Sequence, residues 1–289
     1  MPLPLFEGLE AKMDEPPRET PSEHPGFLAD QPRLGLDDRF TFACDPGVSC
    51  FNVCCRDVNI VLTPYDVLRL KRRLNLTSSE FLDRYTILPF TKDQLFPIPF
   101  LKMNDDAEKT CPFVSDAGCT VYADRPWPCR MYPIGHASSR TSDHPIGEEF
   151  WFLVREGHCR GHDRGRSWTI REWMQSQGTE PYDRMGEFYR DLTLHERFAV
   201  HHQRLDPAHV ELFYMALYDL DKFRRFVFES SFLKRFVVQE DRVEWMRRDD
   251  EELLEFGFLW LRFALFGEKT MKVRPEAAKA AMEATKNAR

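Results

Sequence analysis

The stretch FACDPGVSCFNVCCRD, residues 42–57, holds four of the chain's eight cysteines in the spacing C-x5-C-x3-C-C. Four thiols in so short a segment can form disulfides, bind zinc, serve as a reactive thiol with its neighbours, or hold an iron–sulfur cluster. The cellular compartment bears on this choice, because clustered thiols in a reducing cytosol more often bind metal than form disulfides. Composition and targeting signals therefore come next.

The composition is that of an ordinary globular protein, with 30% charged and 42% hydrophobic residues. A net charge of −7 argues against a dedicated nucleic-acid-binding protein, which usually carries a basic surplus. The N-terminus lacks the basic segment and long apolar core of a signal peptide. The most apolar run, FGFLWLRFALF at 256–266, is too short to cross a bilayer. We expect a cytoplasmic protein that binds neither nucleic acid nor membranes.

Proline and cysteine content divide the chain into four predicted segments. Residues 1–38 form a polar, proline-rich arm, and residues 269–289 form a polar, alanine-rich tail. All eight cysteines fall within residues 39–165, whereas residues 166–268 carry helical patterns. A small, loop-rich segment often needs an inorganic staple. The expected fold is α+β: a small, irregular cysteine-rich metal-binding domain packed against a C-terminal helical bundle.

Capping signals predict where several helices begin. Thr63 followed by Pro64, the capping box that starts at Thr77, and the box Thr169–Glu172 each mark a helix N-terminus. Asp206 followed by Pro207 marks another. Alternating apolar residues in RDVNIVLT (56–63), together with EFWFLVREG (149–157), predict strands. A last helix over 241–266 is predicted to bury one stripe, formed by Leu253, Phe256, Gly257, Trp260, Leu261 and Ala264.

The cysteine spacing favours an iron–sulfur cluster over zinc and leaves zinc open. No C-x2-C pair of the kind usual in structural zinc sites occurs in the sequence. The adjacent Cys54 and Cys55 cannot both direct their side chains at one tetrahedral ion without a contorted backbone. A multi-iron cluster tolerates such spacing, because its ligands bind different iron atoms. Eight cysteines suffice for two four-thiolate sites, or for one cluster with spare ligands.

Four sequence motifs together resemble the YkgJ-type cysteine-cluster family, whose members are described as zinc- or iron-chelating domains. The motifs are CFNVCC (50–55), CPF (111–113), VYADRPWPCRMYP (121–133) and HCRGHDRG (158–165), and the resemblance covers roughly residues 43–165. It implies metal binding, generally as an iron–sulfur (4Fe–4S) cluster, with one or two clusters per chain and zinc as the alternative. The ligands that it implies are Cys50, Cys54, Cys55, Cys111, Cys119 and Cys129, with Cys44 and Cys159 at less stringent positions.

Two arginines and two aromatic residues flank the predicted ligands. Arg125 and Arg130 are predicted to bind the cofactor by donating hydrogen bonds to cluster sulfurs, which raises the reduction potential. The alternative is a salt bridge that fixes the proline-rich loop. Trp127 and Tyr132 are expected to shield the metal from water.

Histidines lie on either side of the last cysteine. His158 and His162, spaced four residues apart around Cys159, are expected to be spare ligands or ordinary loop residues. In the glycine-rich stretch after Cys159, this chain has His162 and Asp163 where relatives tend to have small residues.

The functional expectation is a metal-binding protein with a redox or cluster-dependent role, which meets a protein partner or substrate through its helical segment. One branch of the family resembles flagellin lysine N-methylases, so an S-adenosylmethionine-dependent methylase is an alternative. The sequence has neither a glycine-rich nucleotide loop nor the C-x3-C-x2-C pattern of radical S-adenosylmethionine enzymes. A structural zinc-binding interaction protein is the other alternative. No motif identifies catalytic residues.

Overall fold

The computed structural model describes residues 31–89, 95–138, 149–162, 164–199 and 204–279. Most of the predicted N-terminal arm, Asp163 and the end of the predicted tail lie outside these residues. The described helices are α1 (Pro64–Leu74), α2 (Ser78–Tyr85), α3 (Trp127–Met131), α4 (Ile170–Gln177), α5 (Glu180–Thr193), α6 (Glu196–Ala199), α7 (Pro207–Leu217), α8 (Leu220–Glu229), α9 (Phe232–Arg235), α10 (Glu240–Arg248) and α11 (Asp250–Phe266).

The strands are short and join in antiparallel pairs rather than in one large sheet. The pairs are β1 (Arg39–Phe42) with β8 (Arg166–Thr169), β2 (Thr86–Ile87) with β3 (Phe100–Leu101), β4 (Val114–Ser115) with β5 (Gly118–Cys119), β6 (Ile134–Ser138) with β7 (Glu149–Leu153), and β9 (Phe236–Val237) with β10 (Lys272–Val273). Short strand pairs in the cysteine segment and helices after it confirm the predicted α+β class.

The predicted helix starts are confirmed, since each depends on contacts within one turn. Thr63, Thr77 and Thr169 each accept a hydrogen bond from the backbone amide three residues later, in complete capping boxes. Asp206 accepts from the amide of His209 at the start of α7. The predicted strand in EFWFLVREG is also confirmed, as β7.

Two element predictions are wrong. RDVNIVLT forms only isolated bridges, from Arg56 to Thr110 and from Val61 to Phe100, because Asp57 adopts a left-handed φ of 46° that interrupts the extended backbone. The predicted last helix is two helices, α10 and α11. Asp249 between them is extended, and its side chain accepts a hydrogen bond from the amide of Glu251 at 2.7 Å.

The larger hydrophobic core joins the cysteine segment to the helical segment. Residues of α1 and α2, such as Leu68 and Phe81, belong to the same buried cluster as Phe213, Phe223 and Leu261 of the later helices. A smaller cluster lies beside the paired strands β1 and β8 and contains Phe40, Phe42, Met131, Ile134, Ile170 and Trp173. The two segments therefore pack against each other along a shared core. Their boundary near residue 165 stays a prediction.

The predicted apolar stripe of α11 is buried along most of its length and packs directly against α7. A Cβ atom on Gly257 would lie 2.6 Å from the carbonyl oxygen of Ala216, so only glycine permits this close approach. Of the stripe's members, Leu253, Phe256, Gly257, Trp260 and Leu261 are buried, and Ala264 is partly exposed. Over the part of the chain that the structure describes, no helix is both long and apolar enough to span a bilayer.

Candidate metal centre

The eight cysteines lie in loops and at the ends of short elements around one turn of 3₁₀ helix, Val53–Cys55. Cys44 follows β1, Cys119 ends β5, Cys129 lies in α3, and Cys159 lies between β7 and β8. All eight are free thiols rather than disulfides. The structure thus collects residues that are far apart in sequence around a single short turn.

Four of the thiols line one small recess at the end of β1. We call these the outer set: Cys44, Cys50, Cys54 and Cys159. Burial and the neighbouring thiols of the other three raise the pKa of Cys44 to about 11, which places the four sulfurs close together. The backbone amide of Arg160 donates a hydrogen bond to Sγ of Cys50 at 3.1 Å. The apolar side of the recess is formed by Phe42, Ala43, Val48 and Tyr132.

The other four thiols form a second group, which we call the inner set: Cys55, Cys111, Cys119 and Cys129. Burial most strongly, and then the neighbouring Cys111, Asp66, Cys119 and Cys54, raises the pKa of Cys129 far above its usual range. A hydrogen bond with Cys54 and burial raise the pKa of Cys55 most, and the neighbouring Cys111 and Cys129 raise it further. The side chain of Cys129 is nonetheless accessible to solvent. A raised pKa and an accessible side chain are compatible if protein atoms surround Cys129 on most sides and leave one side open to solvent.

The two sets meet at the dipeptide Cys54–Cys55. The thiol of Cys55 donates a hydrogen bond to the sulfur of Cys54, which lowers the pKa of Cys54 and raises that of Cys55. Successive side chains on a 3₁₀ helix point about 120° apart, because the helix has three residues per turn. One residue can therefore line the outer recess while its neighbour faces the inner set.

Local contacts hold this turn in place. Asn52 precedes it with a left-handed φ of 67°, and its Nδ2 donates to the carbonyl oxygen of Ser115 at 3.0 Å. The amide of Cys111 donates to the carbonyl oxygen of Cys55 at 2.8 Å, which ties the two inner-set loops together. The asparagine and the adjacent cysteines are thus parts of one small structural unit.

The structure places Arg125 and Arg130 against backbone carbonyls. Arg130 donates to the carbonyls of Ala123, Arg125 and Gln177, and its guanidinium lies 4.4 Å from the ring centre of Tyr182. Arg125 donates to the carbonyl of Tyr122 at 2.6 Å and to the side chain of Gln177. These contacts fix the proline-rich loop, though by hydrogen bonds to carbonyls and an amide rather than by a salt bridge.

Arg125 also acts on the inner set through its charge. It is buried, and its positive charge favours the thiolate of Cys119, opposing the effect of burial on the pKa of that thiol. Cofactor binding by Arg125 and Arg130 stays a prediction.

Aromatic residues cover both sets. Tyr132 lines the outer recess, and its hydroxyl donates to Oε2 of Glu156 at 2.9 Å and lies within hydrogen-bonding reach of Cys159. Trp127 packs against the same core as Cys111 and Cys119. The Nε1 of Trp127 donates to Asp183 at 2.8 Å, which anchors the ring to α5. Both positions suit the expected shielding role.

The two histidines occupy different environments. His158 lines the outer recess, with its Nε2 3.4 Å from a carboxylate oxygen of Glu156. His162 lies with its Nε2 3.1 Å from the carbonyl oxygen of Val154, and its ring packs edge-on against Phe42. His158 is thus the histidine that lies beside the outer thiols.

Two features of the site were not predicted from the sequence. Gly161 lets the loop after β7 rest on β1, because a Cβ there would lie 2.5 Å from the ring of Phe42 and 2.6 Å from the carbonyl oxygen of Ala43. This contact brings Cys159 next to Cys44. The glycines of HCRGHDRG were a signal for such close packing.

The second feature is Asp66, the buried N3 residue of the α1 capping box. It accepts hydrogen bonds from the amide of Trp127 and from the amide and hydroxyl of Thr63, each at 2.8 Å. Asp66 thereby fixes α1 against the loop that carries Cys129. Its place in the capping box was a sequence signal for the helix contact, but not for the contact with Trp127.

The donor set is the one preferred by thiophilic metals such as zinc and iron. Within the described ranges, no group of three or more His, Cys, Asp or Glu side chains has the geometry to hold a single metal ion. The assignment of all eight cysteines as metal ligands stays a prediction.

Comparison with known protein families supports the chemistry suggested by the donor set. Residues 43–161 match the family model CxxCxxCC, described as "Putative zinc- or iron-chelating domain". This match confirms the resemblance to the YkgJ-type cysteine-cluster family, and it includes every cysteine of the chain. Neither the curated proteins nor the solved structures contain a match.

Proposed function

Since residues 43–161 match the model of the zinc- or iron-chelating CxxCxxCC family, we propose that the protein binds two iron–sulfur clusters. One is held by the outer set and the other by the inner set, and the clusters serve one-electron transfer. The observation that carries this proposal is the recess lined by four thiols, beside which the other four thiols lie across the Cys54–Cys55 peptide bond, with Cys54 close to both groups.

Thiol spacing supports iron–sulfur clusters over zinc ions. A zinc ion holds its sulfur ligands about 2.3 Å from one centre, so its four ligands converge tightly. The ligands of a cluster bind separate iron atoms and lie farther apart. The adjacent Cys54 and Cys55, which cannot easily reach one ion together, suit the wider arrangement better.

The protein's own residues would tune the two clusters differently. The amide of Arg160 donates to Cys50 in the outer set, and Arg125 lies near Cys119 in the inner set. Hydrogen bonds and positive charge near the sulfurs raise the reduction potential of a cluster, and solvent exposure also alters it. A protein with two unequal clusters is suited to passing single electrons between partners of different potential.

The first experiment is iron, zinc and acid-labile sulfide analysis of anaerobically purified protein, with an absorption spectrum. We expect about eight irons and about eight sulfides per chain, with a broad band near about 400 nm, if both clusters are of the 4Fe–4S type. Zinc with a featureless visible spectrum would support the structural zinc alternative. Co-purified S-adenosylmethionine would support the methylase alternative.

Site-directed variants test the division into two sets. Cys44→Ser and Cys159→Ser should lose about half of the iron and keep the inner cluster, whereas Cys111→Ser and Cys129→Ser should lose about half and keep the outer one. Electron paramagnetic resonance of the reduced variants should give a different signal from each pair. Loss of all iron from every variant would indicate one shared cluster, and full retention would remove these cysteines from the ligand set.

A further inference from the structure

Exposed arginines lie around the outer set, on a chain that is acidic overall. Arg160, Arg164 and Arg166 are all exposed, and the net charge of the chain is −7. We call these three residues the basic rim. A local positive surface on a negative protein produces a field that orients an approaching charged partner.

Backbone and ring contacts hold the rim against the outer set. Arg164 donates to the carbonyl of Gly47 at 3.1 Å, within the loop that joins Cys44 to Cys50. Arg160 donates through its side chain to the carbonyl of Gly157 at 2.9 Å, next to Cys159. The guanidinium of Arg166 lies 3.5 Å from the ring centre of Trp168. The charges are thus fixed in place around the thiols rather than carried on free side chains.

These contacts join the three arginines to uncharged groups. The acceptors are neutral carbonyls and an indole ring, and among the described residues none of the three arginines forms an ion pair. Two described carboxylates that are close to these contacts in sequence accept hydrogen bonds from other groups. Asp45 accepts from the amide of Gly47 at 2.8 Å, and Glu156 accepts from the hydroxyl of Tyr132. Residues 160–166 carry three arginines against one aspartate, so with neutral histidine this segment has a net charge of +2 in a chain of net charge −7.

We propose that the basic rim is the docking surface for an acidic one-electron carrier protein, which exchanges electrons with the outer set. The inference rests on the proposed function, because clusters that transfer single electrons need a partner that supplies or accepts them. The outer set is the suitable exchange point because the amide of Arg160 donates to Cys50 and Arg164 binds the loop that joins Cys44 to Cys50. Negative charge over the rest of the chain would repel an acidic carrier elsewhere and direct it to this face.

The test is binding of charged carrier proteins to the metal-loaded protein, measured by isothermal titration calorimetry. A plant-type ferredoxin is the acidic probe and cytochrome c is the basic one. At about 20 mM salt we expect the ferredoxin to bind, and at about 300 mM salt we expect that binding to weaken at least tenfold through screening. Cytochrome c should not compete with ferredoxin.

Three matched variants separate charge at the rim from other effects. R160E/R164E/R166E should weaken ferredoxin binding at least tenfold, and R160K/R164K/R166K should keep it within about threefold. The control R225E/K234E/R235E makes the same charge change on exposed residues of α8 and α9, and it should change binding by less than about twofold. Iron content and melting temperature confirm that each variant is folded and loaded.

The outcomes are distinct from those of the metal analysis. A control variant that weakens binding as much as the rim variant would overturn the inference and favour a partner surface on the helical segment. Equal binding of ferredoxin at low and high salt, absence of binding, or tighter binding of cytochrome c at the rim would also overturn it. A zinc-loaded protein that still binds ferredoxin through the rim would leave the docking surface standing while the redox proposal fails.

Discussion

Asp66 shows how a single buried residue can connect local and tertiary structure. It closes the α1 capping box with Thr63 and also accepts the amide of Trp127, two residues before Cys129. Complete burial raises the pKa of Asp66 to about 6, despite the hydrogen bonds that favour its charged form. The hydrogen bonds that fix Asp66 therefore require its carboxyl group to be buried, which disfavours the charged form.

Asp66→Asn should change how stability depends on pH. Because the folded-state pKa of Asp66 lies above its unfolded value, its protonation stabilises the folded protein below about pH 4, and this contribution disappears as the pH rises through about 6. From pH 4 to pH 7 the stability of the wild-type protein should therefore fall by about 3 kcal/mol relative to Asp66→Asn. Urea denaturation at several pH values measures this difference.

The matched control is Glu80→Gln, at the same capping-box position of α2. Glu80 is exposed, and hydrogen bonds from Thr77 lower its pKa, so its contribution has the opposite sign. Parallel stability curves for wild type and Asp66→Asn would show that the carboxyl of Asp66 titrates normally in the folded protein.

At the residue scale, the candidate metal ligands were easier to identify from the sequence than the side-chain contacts around them. The ligand candidates form a recognisable pattern, because metal-binding residue types are few and their spacing is characteristic. The hydrogen bond of Arg130 to the carbonyl of Gln177 could not be predicted, since it depends on where the end of α4 comes to lie. Contacts of this kind are tertiary and leave no local pattern.

At the element scale, helix starts were predictable and strands were much less so. A capping box is satisfied within four residues, whereas a strand needs a partner that the local sequence does not specify. RDVNIVLT has the alternation of apolar and polar residues that is typical of a strand, but it forms only isolated bridges to its neighbours. The break at Asp249 was missed because the apolar periodicity around it does not mark an end, while the aspartate itself favours a cap.

Two helical glycines should respond oppositely to alanine. Gly257→Ala would place a Cβ 2.6 Å from the carbonyl oxygen of Ala216 and force α11 away from α7, so we expect a loss of about 1–3 kcal/mol of stability. Gly186→Ala in α5 meets no atom within 4 Å, so it should gain about 0.5–1 kcal/mol. Thermal and urea denaturation of both variants check this. Similar effects from the two would show that the contact between α7 and α11 is not tight.

At the scale of the whole molecule, the cysteine segment is more closely joined to the helices than its sequence suggests. Its composition predicted only a small hydrophobic core within the segment. The structure shows that the segment does not need a large core of its own. The helices α1 and α2 are buried against α5, α8 and α11, so the segment shares the large core of its neighbour. Such packing is non-local, and only the apolar faces of the separate helices were visible in the sequence.

Removal of metal should therefore destabilise the molecule unevenly. The loops that carry the cysteines have few backbone pairs to hold them, whereas α7 to α11 have the large core. After chelation under anaerobic, reducing conditions, hydrogen exchange should lose protection mainly in the loops of residues 43–61, 104–130 and 154–162. The helices α1, α7 and α11 should keep theirs. Equal loss across the whole chain would mean that the metal stabilises the entire fold, and no loss would mean that it contributes little stability.

The pairing of β1 with β8 imposes an order on assembly during synthesis. These strands flank the cysteine segment, and they bring Cys44, at its start, beside Cys159, at its end. A ribosome delivers the chain from its N-terminus, so the outer thiols cannot come together until β8 has left the exit tunnel and closed this long loop. The inner thiols all lie between Cys55 and Cys129 and are available earlier. A nascent chain would thus complete its inner set first and its outer set last.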